Sequence, residues 1–285
     1  PHVTSNVLED IIRLILIIIG VPIFINKGLE VAVTFVILTN IISELSSILV
    51  LFFFLPKNLT IKKKDLAFSK GYAKEAMNIS IPSTASRLVG SFGYFLEPII
   101  LTNALTYVGY SSKFIVTEYG VISGFVMPLL LLPSFFTMAI SQALLPVISK
   151  ATSNKHYDYA KKKLKQAIGI SLLIGVPASL LLAIFPKFFL GLIYNTHEGV
   201  AYMRFLAPIC ILQYIQAPLS ACLDAMGLTK LGLKATIIGT LIRTIFLLIF
   251  SLLKIGMWGL IFSTSLNVIF TTFYNLYQVK TSLKK

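Results

Sequence analysis

Eight apolar stretches, each long enough to cross a lipid bilayer, divide this 285-residue sequence, with only short polar connections between them. They cover approximately residues 7–25, 31–55, 79–105, 116–148, 167–189, 201–222, 231–253 and 257–279. A crossing helix needs about 20 apolar residues. In hydrocarbon every backbone N–H and C=O must be bonded within a helix or within a closed barrel. Barrel strands are short and alternate in polarity, whereas these runs are continuous. The pattern therefore predicts an all-α, polytopic membrane bundle of about eight transmembrane helices. Charged residues make up only 13% of the chain, against about 25% in soluble domains, which excludes an ordinary soluble enzyme.

The formal charge of +14 invites a nucleic-acid reading, but its location argues otherwise. Lys57, Lys62, Lys63, Lys64, Lys70 and Lys74 lie between the second and third stretches, and Lys150, Lys155, Lys161, Lys162, Lys163 and Lys165 between the fourth and fifth. With Lys230, Lys234, Lys280, Lys284 and Lys285 these give 17 lysines on one side, against 3 in the alternate loops, Lys27, Lys113 and Lys254. By the positive-inside rule the lysine side and the C-terminus face the cytoplasm, in the cell membrane. The charge then reads as a topology signal that touches anionic lipid headgroups, and no nucleic-acid partner is expected. Residues 62–77 and 157–168 are expected as short amphipathic helices along the inner surface, with Leu66, Phe68, Tyr72 and Leu164 toward lipid.

Enzyme chemistry is not expected. The sequence has no Gly-rich phosphate loop and no paired nucleophile and histidine. Cys210 and Cys222 share one apolar segment, and His2, His156 and His197 cluster with no cysteine, so neither a disulfide framework, a metal site nor a cofactor is anticipated. The chain opens Pro1-His2-Val3, without an initiator methionine or a leader, and is expected to be the C-terminal part of a longer protein.

Charged side chains inside spans cost about 2.5–3.5 kcal/mol at the bilayer centre and usually face a cavity or a partner. Here they are Arg13, Glu44, Arg87, Glu97, Arg204 and Arg243, with Glu9, Asp10 and Glu118 near span entrances. Asn40, Ser43, Glu44 and Ser47 fall on one helical face, either a cavity wall with a titrating carboxylate or an interhelical hydrogen-bond seam. Arg87 and Glu97 are ten residues apart, about 15 Å along a helix, so each needs its own partner. For Arg87, taken to lie at mid-membrane, that is an anionic substrate group gripped by two parallel bonds or a structural pair with Glu44 or Glu118. Arg13 pairs with Glu9 or lies at a cytoplasmic mouth, and Arg204, close to an outer end, can snorkel. The candidate cavity residues are thus Arg87, Glu97, Glu118, Glu44, Asn40, Arg204 and Arg243, with Glu9 and Arg13 at an entrance. Pro82, Pro98, Pro128, Pro133, Pro146, Pro208 and Pro218 lie within spans and suggest the interrupted helices of alternating-access transporters. A faint repeat relates Val7–Arg13 to Ile237–Arg243, so that residues 1–56 would close a preceding lobe, 57–76 form a basic linker and 77–285 make a lobe of six helices.

Leu96-Glu97-Pro98-Ile99-Ile100-Leu101, Tyr119-Gly120 with Gly124, Met127-Pro128-Leu129-Leu130, Leu132-Pro133, and Ile140-Ser141 through Leu145-Pro146-Val147-Ile148-Ser149 resemble the stage V sporulation protein B group. That group is a polysaccharide-export branch of the MOP (MATE-like) flippase superfamily. The resemblance covers nearly the whole chain, about two-thirds of a minimal member, and the Glu9…Arg13 start shares it. It implies a two-lobe transporter of 12 or more spans that flips a lipid-linked oligosaccharide or peptidoglycan precursor, in spore cortex formation or polysaccharide export. Arg87, Glu97 and Glu118 would then face the cavity, and the partners would be the lipid-linked saccharide, membrane lipids and a coupling proton or sodium ion. Two alternatives remain: a drug or cation antiporter of the multidrug and toxin extrusion branch, with Glu44 as its carboxylate, and a non-transporting scaffold for cell-wall enzymes.

Overall fold

The computed structural model describes residues 2–53 and 70–283, and these form helices joined by short turns, with no strand among them. They fall into two compact units, divided between residues 69 and 70.

The first unit is a hairpin of α1 (His2–Ile25) and α2 (Leu29–Phe53). Its turn uses Gly28 at φ +124°, a conformation that favours glycine. Small and hydroxyl residues form the seam. Gly20 lies against the Phe35 ring, and Ser5 donates to the Ser47 carbonyl at 3.1 Å.

In the second unit α3 (Lys70–Val108) packs along α10 (Thr229–Leu252), which in turn packs on α11 (Trp258–Ser282). α9 (Val200–Ala225) is surrounded by α7 (Tyr157–Ile184), α11 and α6 (Ser134–Ser153), and short α8 (Pro186–Tyr194) closes one end. The stretch predicted over 116–148 is a single bent helical run from Ser112 to Ser153, roughly 60 Å long at 1.5 Å per residue. It comprises α4 (Ser112–Val121), a π-turn (Ile122–Val126), α5 (Met127–Leu131) and α6. Backbone angles stay right-handed through Ile122, Met127, Leu132 and Pro133, so the chain bends without reversing. The causes are local. Proline has no N–H to donate. The Leu129 carbonyl, which Pro133 cannot reach with a donor, takes the Leu132 N–H instead at 3.3 Å.

Two apolar clusters confirm that this run passes from one end of the bundle to the other. Ile115 and Val121 pack with Met203, Met257 and Leu190, whereas Leu144 and Ile148 pack with Leu219, Cys222 and Val279. Met203 and Cys222 are separated by about 28 Å of α9. Seven described segments are long and apolar enough to cross a membrane, and Ser112–Leu131 and Ser134–Ser153 are two of them. Joined end to end they make one crossing. α1 and α11 coincide with the first and eighth predicted stretches, so each predicted stretch has a helix among the described residues.

Three expectations change. Residues 157–168 are not a separate surface helix but the first turns of α7, and Leu164 is buried in the cluster of Ile148 and Leu219 rather than turned toward lipid. Residues 70–77 are likewise the start of the continuous α3, while Leu66, Phe68 and the Tyr72 side chain lie outside the described residues. Lys187, absent from the loop count, sits on α8 beside Leu190 of the cluster at the lysine-poor end, as a fourth lysine there.

Candidate functional site

The middle of the second unit gathers polar side chains among apolar ones such as Met127, Leu206 and Val268. Gly93 lets α3 and α10 approach closely, since a Cβ there would stand 2.4 Å from Thr240 Cγ2. Gly239 does the same for α10 and α11, where a Cβ would meet Asn267 Oδ1 and Thr271 Oγ1 at 2.6 Å. Around these contacts lies a cavity of about 240 Å³ bounded by Gly90 and Tyr94 of α3, Gln213 and Gln216 of α9, Thr236, Thr240 and Arg243 of α10, and Thr264, Asn267 and Thr271 of α11. Gln216 is fixed by Thr272 at 2.8 Å.

Arg243 is buried, 8% exposed, and is ion-paired to the buried Glu97 of α3. Its guanidinium carbon lies 4.4 Å from the centre of the Tyr94 ring, a cation–π seat of the kind that favours arginine. Its Nε finds no partner among the described residues. The other Glu97 oxygen accepts from the Tyr119 hydroxyl at 3.2 Å. On that side lies a second cavity, also about 240 Å³, lined by Glu97, Tyr119, Ser123, Arg243 and Thr264. The π-turn carries Ile122 and Ser123 into its wall. Such single π-turns often occur at functional sites.

The remaining predicted residues are dispersed. Arg87 is exposed and lies about 15 Å along α3 from Glu97, toward the lysine-rich end. The expected mid-membrane place is therefore taken by Glu97 and Arg243. Arg87 makes no ion pair within 4.0 Å among the described residues of the second unit, and Glu118 is not its partner. Glu118 instead accepts from the Tyr202 hydroxyl at 2.6 Å, and Tyr202 packs edge-on against Trp258. Arg204, exposed, donates to the Ala183 carbonyl in the last turn of α7 at 3.4 Å, where free carbonyls favour a cation. In the first unit Arg13 pairs with Glu9 at 2.5 Å and Asp10 at 3.4 Å and reaches Ser43 at 3.3 Å. Ser43 and Ser47 belong to the hairpin seam, whereas Asn40 and Glu44 are exposed. Among the described residues no three His, Cys, Asp or Glu side chains converge as a metal site requires.

The uncharged lining residues are not among the expected cavity residues, although the sequence carries their signal. Thr236, Thr240 and Arg243 recur at i, i+4, i+7, Thr264, Asn267 and Thr271 at i, i+3, i+7, and Gln213 and Gln216 at i, i+3, the spacing of one helical face.

Residues 92–249 match the MatE family, and residues 2–152 match the polysaccharide biosynthesis protein family. The chain belongs to these families. Among curated proteins this MatE-family chain is 32% identical over 249 residues to stage V sporulation protein B of Bacillus subtilis (strain 168), covering 86% of the chain and 48% of that protein. It is 26% identical over 229 residues to sporulation protein YkvU of the same strain, covering 79% of the chain and 51% of that protein. The chain thus spans about half the length of these curated relatives. Among solved structures it resembles an outward-facing multidrug resistance MATE family transporter of the MOP superfamily, with TM-score 0.74, 16% identity, and coverage of 99% of this chain and 62% of that one. The fold is that of a MATE-type transporter, and the family membership agrees with the MOP superfamily and not with an enzyme.

Proposed function

We propose that this chain is part of a membrane transporter that flips a lipid-linked oligosaccharide or peptidoglycan precursor across the cytoplasmic membrane by alternating access, in spore cortex formation or polysaccharide export. The observation that carries this reading is the buried guanidinium of Arg243 at the polar centre of the second unit. A phosphate-bearing headgroup needs a cation in a water-poor site, and the hydroxyl and amide groups of Thr240, Thr264, Asn267 and Gln213 suit sugar hydroxyls. The relationship to stage V sporulation protein B supports the sporulation setting. Glu97 and Arg243 form the cavity centre on this reading. Arg87, at the lysine-rich end, receives the headgroup from the cytoplasmic side, since 17 lysines mark that side as inner. Glu118 and Arg204 stand toward the outer end, Glu9 and Arg13 at an entrance of the first unit, and Asn40 and Glu44 are the groups the first unit presents to the cargo path. Membrane lipids and a coupling proton or sodium ion complete the set of partners.

The test uses the full-length parent gene, deleted and restored with wild type, Arg243→Gln/Glu97→Gln or Arg87→Ala. Labelled lipid-linked peptidoglycan precursor on the outer leaflet is measured, with dye efflux in parallel. Loss of outer-leaflet precursor with normal membrane insertion and unchanged dye efflux is the expected result. Loss of dye efflux with normal precursor would instead assign the chain to the drug or cation antiporters.

A further inference from the structure

The Glu97–Arg243 pair has a cavity on each side. The first reaches Arg243 past Thr240 and Asn267, and the second reaches Glu97 past Tyr119 and Ser123. The two partners are held differently. Arg243 keeps its seat on the Tyr94 ring and has an unpartnered Nε, whereas Glu97 has a second donor in the Tyr119 hydroxyl at 3.2 Å.

We propose that this pair is an anion-exchange site: a phosphate or pyrophosphate group entering the first cavity replaces the Glu97 carboxylate on the Arg243 guanidinium, and the released carboxylate turns onto the Tyr119 hydroxyl that already donates to it. The assignment of that anion to a lipid-linked headgroup rests on the flippase reading; the exchange itself does not. The guanidinium is never left uncompensated during the swap, which is what makes opening a buried pair tolerable. A neutral ligand offers no replacement charge, and a cation taking Glu97 would leave a buried guanidinium that cannot shed its charge, so the site selects anions. Phosphate oxygens also match the guanidinium fork in two parallel bonds, one of which Nε supplies.

The resting pair is neutral, so an entering anion adds its whole negative charge to the site, and burying that charge is costly. Exchange is therefore favoured when Glu97 carries a proton on a carboxylate oxygen, so anion affinity rises as pH falls. The groups that face Glu97 are Arg243 of α10, Tyr119 of α4 and Tyr94 of α3 itself, while α11 and α9 offer only uncharged Thr264, Leu260, Ile261 and Leu206.

The experiment measures binding of inorganic pyrophosphate and of farnesyl pyrophosphate to the purified full-length protein, at several pH values, for wild type, Glu97→Gln and Glu97→Gln/Arg243→Gln. Glu97→Gln should bind both probes roughly tenfold more tightly, the worth of a charge-assisted bond that no longer has to be broken, with a flatter pH dependence than wild type. The double variant, whose melting reports that it folds, should bind neither. Unchanged or weaker binding by Glu97→Gln, with the wild-type pH slope, would overturn the exchange. Equal affinity for the two probes, with the Glu97→Gln effect intact, would support exchange and count against a lipid-linked cargo; preference for farnesyl pyrophosphate would support both.

Discussion

Removing one oxygen atom, in Tyr214→Phe, tests how the long bent helix is held. Tyr214 of α9 is fully buried, and its hydroxyl donates to the Leu130 carbonyl at 2.7 Å. That carbonyl is bypassed at the bend, because the backbone bonds across it run from Leu132 N–H to Leu129 O and from Phe135 N–H to Leu132 O. The tyrosine thus occupies an acceptor that the helix cannot satisfy and water does not reach. A buried carbonyl stripped of its partner costs about 1–3 kcal/mol, and phenylalanine keeps the ring packing, so little else changes. For a domain of this size each kcal/mol lowers Tm by roughly 2–4 °C. Thermal unfolding of the purified protein in detergent measures the shift, with Tyr107→Phe as a control because Tyr107 is 86% exposed. A Tyr214→Phe protein that melts with wild type would refute the argument that the bend depends on this bond.

The same melting assay checks three further expectations. Gly175→Ala places a Cβ 2.3 Å from Tyr214 Cδ2, so the ring must move and stability should fall by about 1–3 kcal/mol; its effect should be less than additive with Tyr214→Leu, since the two share one contact. Arg243→Gln strands Glu97 and should cost about 3–5 kcal/mol, much of it recovered in Glu97→Gln/Arg243→Gln; equal losses in single and double variants would contradict a coupled pair. Arg13→Ala removes partly exposed pairs with Glu9 and Asp10 and should change stability by only about 0–1 kcal/mol.

Near the site, legibility followed a simple division. Glu97 and Arg243 stood out because a charge within an apolar run is rare for energetic reasons that need no structure. Their partnership did not, because they are separated by 146 positions and only the packing of α3 on α10 through Gly93 brings them together. Glu118 and Arg87 looked equally eligible in sequence, yet one accepts from Tyr202 and the other lies nearer the lysine-rich end, since a helix carries each residue to a height that depends on where the helix starts. Leu164 looked lipid-facing because one face of a helix bordered by lysines suggests a surface helix; its burial depends on α6, α9 and α11, which no local pattern encodes.

The sequence by itself determined that this chain is a bundle of membrane-crossing helices, because an apolar run in lipid has only internal backbone bonding available to it. It also determined the lysine asymmetry between the two sides and the places where proline must interrupt a helix. Only the tertiary structure decided that residues 112–153 form one bent crossing, that Tyr214 serves the bend, and that Arg243 rather than Arg87 occupies the polar centre. Those outcomes depend on contacts between residues far apart in the chain, and such contacts exist only once the helices have chosen their neighbours.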